Sequence, residues 1–300
     1  MLKIKPNTTN TKDLHQYLLS SIGPRPIALA STIDTTGNKN VSPFSFFNVF
    51  SANPPILIFS PARRVRDNTT KDTLQNLQEI PEVVINIVNN ALAEQASLSS
   101  NEYPKNVDEF IKAGLTPVNS EEVKPFRVKE SPVQMECKVN QIINLGEKGG
   151  AGNLIICEIL LIHIHKNVLD NNMKIDQDKL QLVGRLGSNW YCKAFNNSLF
   201  EIKKPSRMVG VGFEKIPQGV KNSSIFSKND LTQLASISHL PEKEEIQEFL
   251  SKKNTYHNKI SKDIKKELYA KAHQLIKKGD IKNAWKYILF EKLNKKNENT

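Results

Sequence analysis

The sequence predicts an α+β fold, with a β-rich first two-thirds and an all-helical final third. Apolar and β-branched runs of strand length, most of them bounded by Pro, Gly or Asn, end at about residue 186. The net charge of the sequence also changes close to this point. Residues 203 to 300 carry 21 Lys+Arg against 11 Asp+Glu, whereas residues 1 to 202 carry 21 against 20, so the basicity of the chain belongs to its last third.

Six strand-length runs are predicted, at residues 26 to 33, 55 to 60, 83 to 88, 133 to 145, 154 to 165 and 180 to 186. Helical spacing occurs only briefly between them, at about residues 11 to 20, 91 to 98 and 107 to 113. These helices are too few for a parallel sheet covered on both faces, so a β-rich sheet or barrel is expected.

Residues 146 to 153 join the two longest runs and contain four glycines. A phosphate loop would lead into a helix and would place Ser or Thr after its Lys. Here the following residues, 154 to 159, have a strand sequence instead. We therefore predict a long, flexible hairpin tip.

The last third predicts amphipathic helices at about residues 227 to 236, 241 to 250, 262 to 278 and 281 to 293. A Ser-x-x-Asp start at Ser227 and a glycine stop at Gly279 mark two of their ends. The apolar residues suffice for one layer on a surface but are few for an independent core. We therefore expect this tail to pack on the preceding domain or on a second subunit.

Several functional classes are disfavoured. The three cysteines are too far apart for a C-x-x-C pair and are expected to be reduced core residues. His163 and His165 lack a third ligand, so no metal site is predicted. The lysine-rich helices are interspersed with glutamates and carry no basic-aromatic motif, which disfavours a nucleic-acid partner.

Membrane attachment and export are also disfavoured. No apolar run approaches the roughly 18 residues of a membrane span, and the start MLKIKPNTTN lacks the apolar stretch of a signal peptide. We expect a cytoplasmic protein without a membrane partner.

The stretch around SPFSFFN mixes phenylalanines with small hydrogen-bonding residues, namely Ser42, Ser45, Asn48 and Ser51. We predict that it forms one strand that is apolar on both faces, with a core on one side and a flat, partly polar ligand or a second subunit on the other. The alternative is an aromatic core strand.

Residues 60 to 76 combine positive charge with hydroxyls ahead of a short helix. Arg63, Arg64, Arg66 and Lys71 supply the charge, and helix N-termini offer unpaired N–H groups, so a terminal phosphate is the natural ligand. Asp72 would repel it and is expected to cap the helix or to orient an arginine. The alternative is a solvated basic loop.

The order RPIALASTID, SPFSFFN, NPPI, KDT before a helix, VINIV and GRLGSNWY resembles the flavin reductase-like family of FMN-binding split barrels, over about residues 14 to 195. The resemblance implies a mainly antiparallel FMN-binding split β-barrel at residues 1 to 205. The helical spacing of the last third, on which the resemblance is silent, predicts a C-terminal α-helical extension at residues 206 to 300. It also implies a homodimer that holds FMN in a groove between its subunits. We expect the tail to lie near that groove and to restrict bulky acceptors.

The resemblance further implies the residues that contact the cofactor. Ser31 and Thr32 would touch the flavin, Ser45, Phe46 and Phe47 would lie along its ring, and Ser60, Arg64, Lys71 and Thr73 would hold the phosphate. Arg63 or Arg66 could take the place of Arg64. Asn86 and Tyr191 also match the family, with no contact assigned.

The implied function is that of an FMN-dependent oxidoreductase, which takes a hydride from NADH or NADPH and passes electrons to free flavin, a partner oxygenase or another acceptor. The flavin carries this chemistry, so no catalytic side chain is predicted. One alternative is an FMN electron carrier without nicotinamide turnover. Another is a non-enzymatic flavin-binding protein whose tail recruits a partner.

Overall fold

The computed structural model describes residues 1 to 104, 107 to 202, 209 to 251 and 262 to 296. The chain divides into two units, Met1–Phe200 and Glu201–Thr300. The domain boundary predicted at residue 205 lies outside the described residues.

The first unit is built on antiparallel strands. They are β1 Ala28–Ile33, β2 Lys39–Phe44, β3 Phe47–Ala52, β4 Pro55–Phe59, β5 Glu82–Ile87, β6 Pro117–Val118, β7 Arg127–Val128, β8 Val133–Asn144, β9 Asn153–Ile164, β10 Leu182–Arg185 and β11 Tyr191–Ala194. Its helices are α1 Thr11–Ser21, α2 Asp72–Glu79, α3 Ala93–Leu98, α4 Glu109–Ala113 and α5 Gln177–Leu180.

A seven-stranded sheet in the order β2-β1-β5-β8-β9-β4-β3 dominates this unit. Each of its pairings is antiparallel. Strands β2 and β3 lie at opposite edges although only Ser45 and Phe46 separate them in the chain. The sheet must therefore curl until its two edges approach each other, as in an incompletely closed barrel.

The prediction of one strand through SPFSFFN is wrong. The chain turns at Ser45 and Phe46, and the Phe46 carbonyl accepts a hydrogen bond of 2.8 Å from Ser60 N. Strand β2 is largely buried, whereas the centre of β3, from Asn48 to Phe50, is exposed. The segment is therefore two edge strands with different surroundings rather than one strand that is apolar on both faces.

The two faces of the sheet support separate apolar clusters. Ala28 and Ala30 of β1 point into the curled interior with Phe59 and Cys137, while Leu29 points to the opposite face, where α3 and α4 pack. Burial raises the pKa of the Cys137 thiol to about 12. This agrees with the expected reduced core cysteine, and all three cysteines are free.

The predicted strands and short helices of this unit agree with the structure to within about two residues. The hairpin β8–β9 is also present, with Asn144 opposite Asn153 at its end. Sequence patterning missed β11 and the two-residue pair β6–β7, which are too short to show alternation.

The second unit is helical in its described part, with α6 Gln218–Lys221, α7 Lys228–Ala235, α8 Lys243–Ser251, α9 Lys262–Lys277 and α10 Ile281–Lys296. Ser227 and Asp230 form the capping box of α7. Gly279 adopts a φ of +78° just after α9, a conformation that favours glycine.

This unit has a core of its own, so the expectation that its apolar residues are too few is wrong. Trp285 is fully buried, and its indole Nε1 donates a 2.8 Å hydrogen bond to the Leu234 carbonyl. The apolar stripes of several helices face one another and form one shared cluster. No stripe therefore needs a separate surface to cover it. Among the described residues, no helix is both long and apolar enough to cross a membrane.

Candidate functional site

A small open cleft lies between β2, the start of α2 and the segment that follows α3. We call it the Lys71 cleft. It is lined by Asn40, Ser42, Arg64, Lys71, Asp72, Thr73, Ser99, Asn101, Glu102, Tyr103 and Glu109.

Lys71 presents a partly buried ammonium group to this cleft. Its Nζ donates a 2.7 Å hydrogen bond to Ser42 Oγ and lies 5.5 Å from the centre of the Phe44 ring. Burial lowers the pKa of Lys71, and Arg64 lowers it further. No carboxylate of the described residues forms an ion pair with it, so the ammonium retains capacity for an anion.

Of the three arginines in the preceding loop, only Arg64 lines the cleft. Its Nη1 donates to Thr69 Oγ1 and to the Thr70 carbonyl, both at 2.8 Å. Arg63 instead turns back and bonds to Asn68. Arg66 is exposed and does not line the cleft, and it pairs with Asp67 and with Glu102 of the lining. This geometry favours Arg64 among the three candidates.

The glycine-rich tip of the β8–β9 hairpin is bonded to this loop rather than free. Gly150 N donates to the Arg63 carbonyl at 2.9 Å, and Arg63 N donates to the Ala151 carbonyl at 2.8 Å. A Cβ on Gly149 would lie 2.8 Å from the Arg64 carbonyl oxygen. The glycines thus permit a close backbone approach that shapes the arginine loop.

Ser60 fastens the base of the same hairpin. Its side chain is buried, and Oγ accepts a 3.1 Å hydrogen bond from Asn153 N. Asn153 in turn donates to the Pro61 carbonyl at 2.8 Å. The structure therefore places Ser60 beside the arginine loop but outside the lining of the Lys71 cleft.

A buried polar network connects β1, β2 and α2 behind the cleft. Asn40 Oδ1 accepts from Thr73 Oγ1 at 2.9 Å and from Thr32 Oγ1 at 3.3 Å. Asn76 Nδ2 donates to Thr32 Oγ1 at 3.0 Å. Asn40 also donates to Glu109, whose pKa is raised by burial. The hydroxyl of Thr73 is thus used inside the protein, although the residue borders the cleft.

Ser31 and Thr32 have no accessible surface in this chain. The flavin contact predicted for them stays a prediction, and in this conformation both residues lie beneath the surface. Thr32 serves the buried network. Ser31 Oγ has no hydrogen-bond partner among the described residues.

Ser45, Phe46 and Phe47 form the turn between β2 and β3, a few residues along the chain from Ser42. Phe46 is exposed, and the other two are partly buried. Ser45 Oγ accepts from Arg25 Nε at 3.4 Å. The turn exposes an aromatic surface. Strand β2, which carries Ser42 of the cleft lining, ends at this turn.

Sequence reasoning missed Arg25, which is almost fully buried. It donates to the carbonyls of Leu19 at 2.6 Å and Leu186 at 2.9 Å, and also to the Ile22 carbonyl. Burial lowers its pKa, as does Arg185. It thereby ties α1 and the β10–β11 loop to the Ser45 turn. A lone charge between two prolines in an apolar run was the available signal.

The two remaining family matches differ in setting. Asn86 is fully buried and structural, since it donates to the Leu29 carbonyl at 3.0 Å and accepts from Val128 N at 2.9 Å. Tyr191 is exposed, and the Arg185 guanidinium lies 4.6 Å from its ring centre.

A sequence model described as the flavin reductase like domain matches residues 20 to 182. The chain belongs to the flavin reductase-like family. A protein of Aquifex aeolicus is 38% identical over 194 residues, which are 65% of this chain and 96% of that protein. Family membership supports a flavin-linked oxidoreductase function in general terms.

Solved structures of this flavin reductase-like fold agree with the architecture. Component B of nitrilotriacetate monooxygenase from Bacillus cereus is 32% identical with a TM-score of 0.63, covering 67% of this chain and 98% of that one. A putative flavin reductase with a split barrel domain from Shewanella frigidimarina is 25% identical with a TM-score of 0.57, covering 68% and 100%. The predicted α+β split barrel with C-terminal helices is confirmed.

The hydrogen-bond donors of the Lys71 cleft suit a phosphate group. The ammonium of Lys71, the guanidinium of Arg64 and the hydroxyl of Ser42 are groups of the kind that bind phosphates in proteins. Two carboxylates of the cleft are already bonded, Glu109 to Asn40 and Glu102 to Arg64. Asp72 neither caps α2 nor pairs with an arginine of the described chain. It lies in the first turn, where the helix dipole favours its charge.

Proposed function

We propose that this protein is an FMN-dependent reductase that takes a hydride from NADH or NADPH and passes electrons to free flavin, a partner oxygenase or another acceptor. The observation that carries this proposal is the partly buried Lys71 ammonium, which faces the cleft beside Arg64 without a carboxylate partner in the described chain. Family membership supplies the flavin chemistry, and the cleft supplies a reason to favour a phosphorylated flavin.

Each group has a distinct task in this proposal. Lys71, Arg64 and Ser42 hold the phosphate, and the exposed Phe46 contacts the ring. Bound FMN supplies the hydride chemistry, so the protein needs to bind, orient and leave one ring face open to the donor. Arg25 positions the turn that carries Ser45 and Phe46 by fastening it to two other elements.

We also propose a homodimer. Strand β3 is a sheet edge with Val49 and Phe50 exposed to 61% and 64%. Adjacent exposed apolar side chains on an edge strand are typical of a surface that another chain covers. A cytoplasmic location stays a prediction.

One observation favours a second candidate, a flavin-binding protein whose tail recruits a partner. The second unit has its own core around Trp285, as an independent binding module requires. In that case flavin binding would persist without nicotinamide turnover.

The deciding experiment follows the flavin absorption of the purified protein with FMN, under anaerobic conditions, before and after addition of NADH or NADPH. Rapid bleaching supports the reductase. Binding of FMN without nicotinamide bleaching, but with chemical reduction by dithionite, supports the carrier or the recruiting protein. Failure to bind FMN contradicts the proposal.

A further inference from the structure

One carboxylate bridges two arginines at the mouth of the Lys71 cleft. Glu102 Oε1 lies 3.1 Å from Arg64 Nε, and its Oε2 lies 2.7 Å from Arg66 Nη2. Hydrogen bonding to Arg66 lowers the pKa of Glu102, so the group is ionised at neutral pH. Its side chain is 49% exposed, which leaves it room to move away.

Glu102 is carried to the arginines by an anchored turn after α3. Ser99 is buried, and its hydroxyl donates to the Ala96 carbonyl at 2.9 Å. Tyr103 N donates to the Asn101 carbonyl at 3.0 Å. Ser99, Asn101 and Tyr103 line the same cleft as Lys71. The backbone that presents the carboxylate is therefore part of the site.

Carboxylate and phosphate use the same guanidinium donors. Arg64 Nη1 is committed to its own loop, and Arg64 Nε is taken by Glu102. A phosphate arriving in the cleft meets the Lys71 ammonium at once. It gains Arg64 Nε only when Glu102 withdraws, and it then shares Arg66 with Asp67, which accepts hydrogen bonds from Arg66 Nε and Nη2.

We propose that Glu102 is a specificity-determining residue that competes with the ligand phosphate for Arg64 and Arg66. While Glu102 holds the arginines, the phosphate contributes less to flavin affinity. The ratio of FMN affinity to riboflavin affinity is therefore smaller than it would be without this carboxylate. This inference rests on the proposed phosphate site. The competing ion pairs are largely exposed, so the effect is graded rather than absolute.

The test compares the affinities of FMN and riboflavin for the full-length protein and its Glu102→Gln variant. We expect FMN to bind about two- to fivefold more tightly to the variant, from the usual strength of exposed ion pairs, and riboflavin affinity to stay unchanged. Glu94→Gln is the matched control. It removes an equal charge from an exposed position in α3, outside the cleft lining, and should change neither affinity.

A second variant separates competition from a general charge effect. Glu102→Asp keeps the charge but is one methylene too short to bridge both arginines, so FMN should again bind more tightly. Unchanged FMN affinity in Glu102→Gln, or an equal gain in Glu94→Gln, overturns the inference. If replacement of Lys71 weakens FMN binding while Glu102→Gln has no effect, the inference fails and the phosphate site stands. If neither replacement matters, the phosphate site itself fails.

Discussion

Replacing Lys71 by methionine should weaken FMN binding selectively. Methionine keeps most of the side-chain stem against the Phe44 ring but removes the ammonium that bonds Ser42 at 2.7 Å. A hydrogen bond between charged groups contributes about 1.5–3 kcal/mol, which corresponds to a loss of roughly 10- to 150-fold in FMN affinity. Riboflavin has no phosphate, so its affinity should hold within about twofold.

The fold should tolerate this change. Burial lowers the pKa of Lys71, which means that the folded protein disfavours its charged form. Methionine carries no charge, so the substitution removes the cost of burying a charged group at this position. The midpoint of thermal unfolding should therefore stay level or rise.

Lys39→Met is the matched control. Lys39 also lies near an aromatic ring, 5.6 Å from the centre of Phe126, but it pairs with Asp108 at 2.9 Å instead of facing the Lys71 cleft. Calorimetric or fluorescence titration with both flavins should show normal FMN affinity for this variant. Equal weakening of FMN and riboflavin by Lys71→Met would refute the phosphate assignment, and so would an unaffected FMN affinity.

Four further changes test other parts of the structure. Gly149→Ala places a Cβ against backbone and should destabilise the first unit by about 1–3 kcal/mol, whereas Gly146→Ala meets only a side chain at 3.3 Å and should change little in the same denaturant titration. Asp34 accepts several hydrogen bonds in its turn, which lower its pKa to about 2. Asp34→Asn should therefore reduce stability at neutral pH, with the difference lost as the pH falls through 4 to about 2, and a pH-independent difference would exclude this cause. Phe50→Asp should shift the sedimentation of the protein from dimer to monomer, and a monomeric wild-type protein would contradict the proposed interface. Trp285→Ala should destabilise the second unit by about 3–5 kcal/mol and leave the free energy of unfolding of the first unit unchanged. Unfolding followed by intrinsic fluorescence and by circular dichroism can distinguish the two transitions.

Local signals were sufficient wherever an element carries its own boundary residues. The capping box of Ser227 and Asp230 and the glycine after α9 each act within a few residues, so the start of α7 and the end of α9 could be predicted, whereas the four-residue α6 was missed. The same holds for the β8–β9 hairpin, where two long runs flank a glycine-rich link. The number of helices that share one core was not predictable, because it depends on contacts such as the one between Trp285 and Leu234, which are 51 residues apart.

The break between β2 and β3 at Ser45 and Phe46 has a sequence signal in the nearby Pro43. Pro43 cannot donate a ladder hydrogen bond, so it marks β2 as an edge strand. An edge strand can end while the chain crosses to the opposite edge of a curled sheet, as it does here to form β3. Hydrophobic pattern alone could not show this, since Phe44, Phe46 and Phe47 continue across the turn without a change in composition.

The candidate site could be predicted by residue type but not by which polar groups face a ligand. Thr32 and Thr73 are hydroxyls of the expected kind, yet both are consumed by Asn40, and Asn76 reaches Thr32 across 44 residues of sequence. Buried polar groups form hydrogen bonds within the protein before they are available to a ligand, because each unpaired buried group costs free energy. The residues left for a ligand are those whose charge the described chain does not neutralise. By that criterion Lys71 is the centre of the proposed phosphate site, and Arg64 contributes to it to the extent that Glu102 withdraws.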